Sequence, residues 1–225
     1  MCYNEEGSIE RVVKNIYEEL SDLVKLQVLV VDDGSTDDSV HLVQSMQKEY
    51  SNLDLIAKEE NEGIGSTLKS IYTEGLGDYI VAVPGDGQFD INELKDFLSF
   101  KEGIIVNLYR TENTTYSLFR NGLSFLNKII NKMLVSLQIK DVNWILIFRK
   151  SDLQSIFPIE LKSNILTSEI CAKLVSNGCS VIESKSKYLP RTSGKSRGAS
   201  LRIVWKAAKE TARLIWVVRR YRWRK

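Results

Sequence analysis

Two stretches place carboxylates where apolar runs give way to loops. In "VLVVDDGSTDDS", Asp32 and Asp33 close a run of branched aliphatic residues, and in "YIVAVPGDGQFD" the run halts at Pro84-Gly85 and delivers Asp86, Gln88 and Asp90 into a loop. Adjacent carboxylates repel one another and are costly to desolvate, so a pair at a strand end implies either solvent or a cation. Taken alone, Asp32-Asp33 before Gly34-Ser35 is more often a helix-capping turn. Asp86 and Gln88 offer two oxygen donors two residues apart, after a glycine that lets backbone approach closely, which suits a hard divalent ion holding phosphate oxygens. By itself the same pair serves equally well as the polar end of a strand.

Other reactive groups are sparse. His41 is the single histidine, so a Ser-His-Asp relay or a histidine metal site would have to use that residue. Cys2, Cys171 and Cys179 are odd in number and lack metal-ligand spacing, which fits unpaired thiols in a reducing compartment. Arg110 follows the run "GIIVNLY", Arg120 and Ser124 lie in "RNGLS", and "YLPRTSGKSRGAS" gathers Arg191, Lys195 and Arg197 around Gly194. Guanidinium groups suit a phosphate because their planar fork of donors keeps its charge. Singly, each is an ordinary surface charge, and the Gly-Ser basic loop is either a closing lid or a solvated linker.

The elements that must position these groups alternate. Apolar residues at helical spacing in "SIERVVKNIYEELSDL" predict a helix, "LQVLVV" a buried strand, "DSVHLVQSMQKEY" a helix, "LDLIAKE" a strand, "GIGSTLKSIYTEGLG" a helix and "DYIVAVPG" a strand. Beyond Asn92, "INELKDFLSF" predicts a helix, "GIIVNLYR" a strand, "YSLFRNGLSFLNKIINKMLVSLQI" a long helix, "VNWILIFRK" a strand, "LTSEICAKLVSNG" a helix and "SVIESKSKYL" a strand. Strands separated by helices predict an α/β fold with a mostly parallel sheet, in which ligands bind beyond the carboxyl ends of the strands. Asp32, Asp33 and Asp86 all fall at such ends. There is no repeat, low-complexity linker or proline-rich break, so residues 1–200 form one domain and 201–225 a basic tail.

The order "YNEEGSI", "VLVVDDGSTDDS", "NEGIGSTLKSIYTEGLGDYIVAVPGDGQFD", "RTSGKSR" resembles the family 2 glycosyltransferases of the GT-A fold, and within them the dolichol-phosphate mannose synthase-like branch that acts on polyprenyl phosphates. The resemblance runs to about Ser200. It implies a Rossmann-like GT-A domain and a hexosyltransferase that moves a sugar, with inversion, from a nucleoside-diphosphate sugar to a polyprenyl phosphate or another membrane-associated acceptor. It assigns the nucleotide to Tyr3, Asn4, Glu5, Asp32, Asp33 and Asp86, and a Mg2+ or Mn2+ ion to Asp86 and Gln88. The acceptor phosphate falls to Arg110, Arg120, Ser124, Arg191 and Lys195, and catalysis to Asp86, Asp141 and Arg191. Glu169 matches a further acid, expected to orient sugar or acceptor. The family's metal motif begins with an aspartate, and Pro84 stands there, so metal affinity should be weaker or a water should fill the vacancy.

Relatives also carry a hydrophobic first strand before the tyrosine-asparagine-glutamate turn, and Met1 stands two residues before Tyr3. The expected fold therefore has a central strand missing, and the chain reads as a fragment or a misplaced start. Two rivals are open: an impaired relative kept as a binding or scaffold protein, and a receiver-type signalling domain, whose strand-end acidic pair "VLVVDDG" matches.

Charge is uneven. The last twenty-five residues hold nine Lys or Arg and one acid, so the tail is about +8 and the remainder about −6. In the tail, Val204, Trp205, Ala208, Ala212, Ile215 and Trp216 fall along one helical side with basic residues on the others. Tryptophan with flanking Lys and Arg suits a helix lying on an anionic membrane, and the alternative is a terminal helix packed on the domain. No aromatic platform or recognition motif points to nucleic acid. With no apolar run of spanning length and no leader-like start, the expected location is cytoplasmic, peripheral at the inner face of the membrane.

Overall fold

The computed structural model describes residues 1–111, 139–163, 165–191 and 201–224, with side chains of the last segment from residue 209. The elements follow the alternation of the sequence: α1 (Ile9–Leu20), β1 (Val28–Asp32), α2 (Ser39–Met46), β2 (Leu53–Ala57), α3 (Ile64–Glu74), β3 (Tyr79–Val81), a 3-10 helix (Ile91–Phe97), β4 (Ile104–Arg110), β5 (Ile145–Arg149), α4 (Lys150–Gln154), α5 (Leu166–Ser176), β6 (Ser180–Ser186) and α6 (Leu201–Trp223). The long helix expected over "YSLFRNGLSFLNKIINKMLVSLQI" falls mainly outside the described residues.

The strands form two sheets. β1 pairs with β2 in parallel, Val28 opposite Leu53 through Asp32 opposite Ala57, and the second sheet runs β3-β5-β4-β6. In it β5 is antiparallel to both β3 and β4, while β4 and β6 are parallel. The expectation of a mostly parallel sheet thus holds for β1-β2 and β4-β6, and β5 departs from it. Strand direction is set by how the chain returns, which a buried run such as "ILIF" does not encode.

Met1 and Cys2 lie between the sheets and pair with both. Cys2 N donates to Val31 O (2.9 Å) and Asp33 N to Cys2 O (2.9 Å) on one side. On the other, Met1 N donates to Val83 O (3.0 Å) and Gly85 N to Met1 O (2.8 Å). Below this crossing a cavity of about 110 Å³ is lined by Val28 and Val30 of β1, Val81 and Val83, Ile71 and Leu94. A Cβ on Gly85 would stand 2.6 Å from Met1 O, so only glycine lets these backbones approach.

α5 is buried along almost its whole length, including two charged residues, Glu169 and Lys173. They pair at 2.6 Å, Lys173 Nζ also donates to Pro158 O (2.9 Å), and the Glu169 carboxylate accepts from the backbone N–H groups of Glu160 (2.9 Å) and Leu161 (2.8 Å). The role expected for Glu169 at sugar or acceptor is therefore replaced by a structural one: a carboxylate with no exposure clamps the 158–161 loop. α6 packs on α5, with Leu214 and Val218 joining the same apolar core and Val217 buried as well. Removing one partner of a buried, fully bonded pair strands the other charge. Glu169→Ala should cost about 3–5 kcal/mol in urea unfolding, and a loss below about 1 kcal/mol, the worth of an exposed pair, would contradict this clamp.

Candidate active site

Two turns interlock at the carboxyl end of β1. Asn4, at φ 53°, sits in the left-handed region that its short amide side chain tolerates. Its N–H donates to Ser35 Oγ (2.8 Å), and its Oδ1 accepts from Thr36 N (2.8 Å). Glu5 N donates to Ser39 Oγ (2.9 Å), Glu6 N to Asp37 Oδ2 (3.1 Å), and Asp38 N returns to Glu6 Oε2 (3.0 Å). "YNEE" and "GSTDDS" thus satisfy one another's backbone donors.

The adjacent acids of β1 have separate duties. Asp32, 1% exposed, accepts from Ser35 N (2.8 Å) and from the Ser35 hydroxyl, forming the capping turn that is its ordinary role. Asp33 turns toward the loop before α3 and accepts from Lys58 Nζ (2.9 Å), Glu62 N (3.2 Å) and Gly63 N (2.8 Å). Their repulsion is relieved because each carboxylate has its own donors.

Tyr3, Glu5, Asp33 and Asp86 converge on a cavity of about 300 Å³ that also takes in Asn61 and Thr67. Of the expected nucleotide residues, four therefore line one pocket, while Asn4 and Asp32 hold the turns behind it. Asn61, Gly63 and Thr67 complete the wall without having been singled out. Their signal lay in the glycines of "NEGIGST", which break the helix pattern where Asp33 reaches across.

Glu5 sits at the centre of the rim. Its carboxylate accepts from the Ser8 hydroxyl (3.2 Å) and is ion-paired with Arg191, so the first residue of the basic segment rests on the nucleotide turn. The Ser8 hydroxyl also donates to Gly85 O (2.9 Å), tying this turn to the Asp86 loop. Burial raises the Glu5 pKa above its ordinary value, with Arg191 opposing. The Cys2 thiol beneath is pushed up to about 12 by burial, with Asp32 adding to it, and is not a nucleophile near neutral pH.

The Asp86 loop departs from its expected metal role in part. Asp86 Oδ1 accepts from Gln88 N (3.1 Å). Gln88 Oε1 accepts from the Tyr188 hydroxyl (2.9 Å), and Gln88 Nε2 donates to Leu189 O (3.2 Å). Asp90 caps the 3-10 helix by accepting from Asn92 N (3.1 Å), so it does not fill the place taken by Pro84. Among the described residues no group of three His, Cys, Asp or Glu could hold a metal ion. Asp86, partly exposed on the cavity, fits a divalent ion only as one ligand shared with a diphosphate's own oxygens.

The acceptor-side residues divide. Arg110 and Asp141 meet in a two-pronged pair, Nε to Oδ2 at 2.8 Å and an Nη to Oδ1 at 3.2 Å, and the guanidinium stacks over Trp144 at 4.9 Å. Asp141 is thus occupied as the holder of Arg110, with Asn143 N also donating to it (3.3 Å). Arg120, Ser124, Lys195 and Arg197 lie outside the described residues.

With this geometry, a family model described as glycosyl transferase family 2 matches residues 1–156, and the chain belongs to that family. It is a glycosyltransferase by class, and the receiver-domain rival is set aside. Among solved structures, glucosyl-3-phosphoglycerate synthase from Mycobacterium tuberculosis in complex with phosphoglyceric acid superposes with a TM-score of 0.62 at 15% identity, covering 96% of this chain and 77% of that one. The same synthase in complex with Mn2+, uridine diphosphate and glucosyl-3-phosphoglycerate gives 0.60 at 16% identity, with 96% and 77% covered. S. aureus TarS 1-349 in complex with UDP gives 0.63 at 22% identity, covering 96% of this chain and 62% of that one. At these identities the likeness establishes the GT-A fold.

The raised Glu5 pKa fixes a sign. The folded chain binds this proton more tightly than the unfolded chain, so its contribution is fully present below the ordinary value of 4.5 and is lost as pH rises through the folded value. Melting temperature followed from about pH 4 to 7 should therefore fall more steeply in the wild type than in Glu5→Gln, and parallel curves would contradict the assignment.

Proposed function

We propose that the chain transfers a sugar, with inversion, from a nucleoside-diphosphate sugar to a polyprenyl phosphate or a similar membrane-associated acceptor. The observation that carries this reading is the convergence of Tyr3, Glu5, Asp33 and Asp86 on one cavity, with Arg191 docked on its rim through Glu5. That the neighbouring synthase and TarS were each solved in complex with UDP supports a nucleotide donor for this chain.

Tyr3 and Asp33 bind and orient the nucleoside, and Arg191 leaves Glu5 for the diphosphate, where its fork of donors stabilises charge developing on the leaving group. A Mg2+ or Mn2+ ion on Asp86, when bound, would supply further stabilisation of that charge. The acceptor phosphate is already anionic near neutral pH and needs no strong base. That agrees with Asp141, which serves to position Arg110 instead. In this reading Arg110, steadied by Asp141 and Trp144, meets the acceptor's phosphate.

Membrane contact belongs to α6. With Leu214, Val217 and Val218 turned into the domain, Trp216 (57% exposed) and Trp223 (87%) face outward beside Arg219 and Arg220. The outward side carries the described part of the stripe expected from the sequence, Ala212, Ile215 and Trp216, while the domain takes Leu214, Val217 and Val218. No described helix is long and apolar enough to cross a membrane. Each basic group near an anionic surface contributes about 1 kcal/mol. A second reading, an impaired relative that binds nucleotide without turnover, is favoured by Pro84 and the lean metal set.

The test is transfer itself: radiolabelled nucleotide sugars are incubated with polyprenyl phosphate in vesicles, with or without anionic lipid, and the lipid extract is counted. Label should enter the lipid fraction, faster on anionic vesicles, and Arg191→Ala should slow it at least tenfold, about 1.4 kcal/mol of transition-state stabilisation. Binding without any labelled lipid would select the impaired relative.

A further inference from the structure

Gln88 is clasped by the segment that follows β6 with both its backbone and its side chain. Leu189 N donates to Gln88 O (2.9 Å), Gln88 Nε2 donates to Leu189 O (3.2 Å), and the Tyr188 hydroxyl donates to Gln88 Oε1 (2.9 Å). The Gln88 residue is only 9% exposed. Both ends of its amide are therefore engaged by two consecutive residues of the segment that follows β6, the second of them two positions before Arg191.

The other side of this clasp is equally built. The Tyr188 ring packs edge-on against Trp144 with centroids 5.3 Å apart and lies 5.6 Å from the Arg110 guanidinium, while Trp144 Nε1 donates to Ser186 Oγ (2.8 Å). Lys187 N donates to Glu93 Oε1 (2.8 Å), so the segment is held on both flanks. A continuous set of contacts thus runs from the Asp86 loop through Gln88 and Tyr188 to Arg110, and along the chain to Arg191.

We propose that Gln88 and Tyr188 form a latch that positions the Arg191 segment on the Asp86 loop, and that the Gln88 side chain serves this latch in place of a metal. The inference rests on the transferase reading only for what Arg191 closes over. An amide suits a latch better than a carboxylate here. Its Nε2 satisfies Leu189 O, which a carboxylate would repel, while its Oε1 satisfies the tyrosine hydroxyl. Chemistry at the Asp86 loop would then be felt by Arg191, and at Arg110 through the tyrosine ring, with no ligand between them.

Limited trypsin digestion tests this on the whole chain, followed by mass spectrometry of cleavage after Lys187 and Arg191. Tyr188→Phe keeps the ring and removes only the hydroxyl, and Gln88→Glu keeps an oxygen ligand but removes the amide donor. Each should raise the cleavage rate roughly fivefold, the equilibrium worth of one net hydrogen bond, and the double variant should fall short of the product of the two. A nucleoside diphosphate, tried as UDP, GDP, CDP and dTDP without metal, should slow cleavage of the wild type and lose that protection in Tyr188→Phe, while still raising the melting temperature of both. A latch that merely stabilised the fold would leave that protection intact.

Cleavage of both variants at the wild-type rate would overturn the latch. So would Gln88→Glu tightening the manganese dependence of nucleotide binding with Tyr188→Phe unchanged, which would make Gln88 a metal ligand. Absence of protection by every nucleotide in the wild type would instead count against the transferase reading, with the basal cleavage rates still deciding the latch.

Discussion

Two neighbouring carboxylates are buried at the end of one short strand, and much of the site follows from the need to satisfy both. Asp32 and Asp33 are 1% and 4% exposed, and adjacent strand residues point to opposite faces. Asp32 therefore draws in the Ser35 turn and, through Ser35, the Asn4 backbone. Asp33 reaches the other way and fixes Lys58 and the amides opening α3. An unpaired carboxylate at either position would carry a desolvation cost of several kcal/mol. The turn geometry is thereby set before any ligand arrives.

This places three chain segments, distant in sequence, around one cleft. Ser8 and Arg191 then add the cross-links: Ser8 joins the first turn to Gly85, and Arg191 joins it to the segment after β6. Glu5 is shared by both links, and its desolvation is part of why a cation is held there. A diphosphate entering the cleft would offer Arg191 a stronger, doubly charged partner than one carboxylate. Until then Glu5 holds Arg191 at the rim of the cleft as an internal counter-ion.

The alternation of strands and helices was legible because period-2 and period-3.6 patterns are local, and the strand-end position of Asp32, Asp33 and Asp86 followed from it. The direction of β5 was not, since it depends on the return path of the chain. The pocket membership of Tyr3, Glu5, Asp33 and Asp86 was readable, whereas the division of labour inside "DD" was not: which of two adjacent acids faces a pocket depends on strand register. Glu169 misled because an acid flanked by apolar residues looks the same whether it faces a substrate or a buried lysine four residues on. The contact of Gln88 with Tyr188 was not legible either, because Tyr188 lies far along the chain and a hydrogen-bond partner at that separation leaves no local trace. The outward stripe of α6 was legible where its side chains are described, since Ala212, Ile215 and Trp216 share one helical side, whereas the burial of Leu214, Val217 and Val218 depends on the domain the helix packs against.

In the proposed function, the cleft between the ends of β1 and β3 is a nucleoside-diphosphate site organised by Asp33. Its most direct test is calorimetric titration of the chain and of Asp33→Ala with UDP, GDP, CDP and dTDP. One-site binding of one nucleotide by the wild type is expected, with a loss of at least tenfold in Asp33→Ala, about 1.4 kcal/mol. Binding of equal strength to both chains, or to neither, would contradict it.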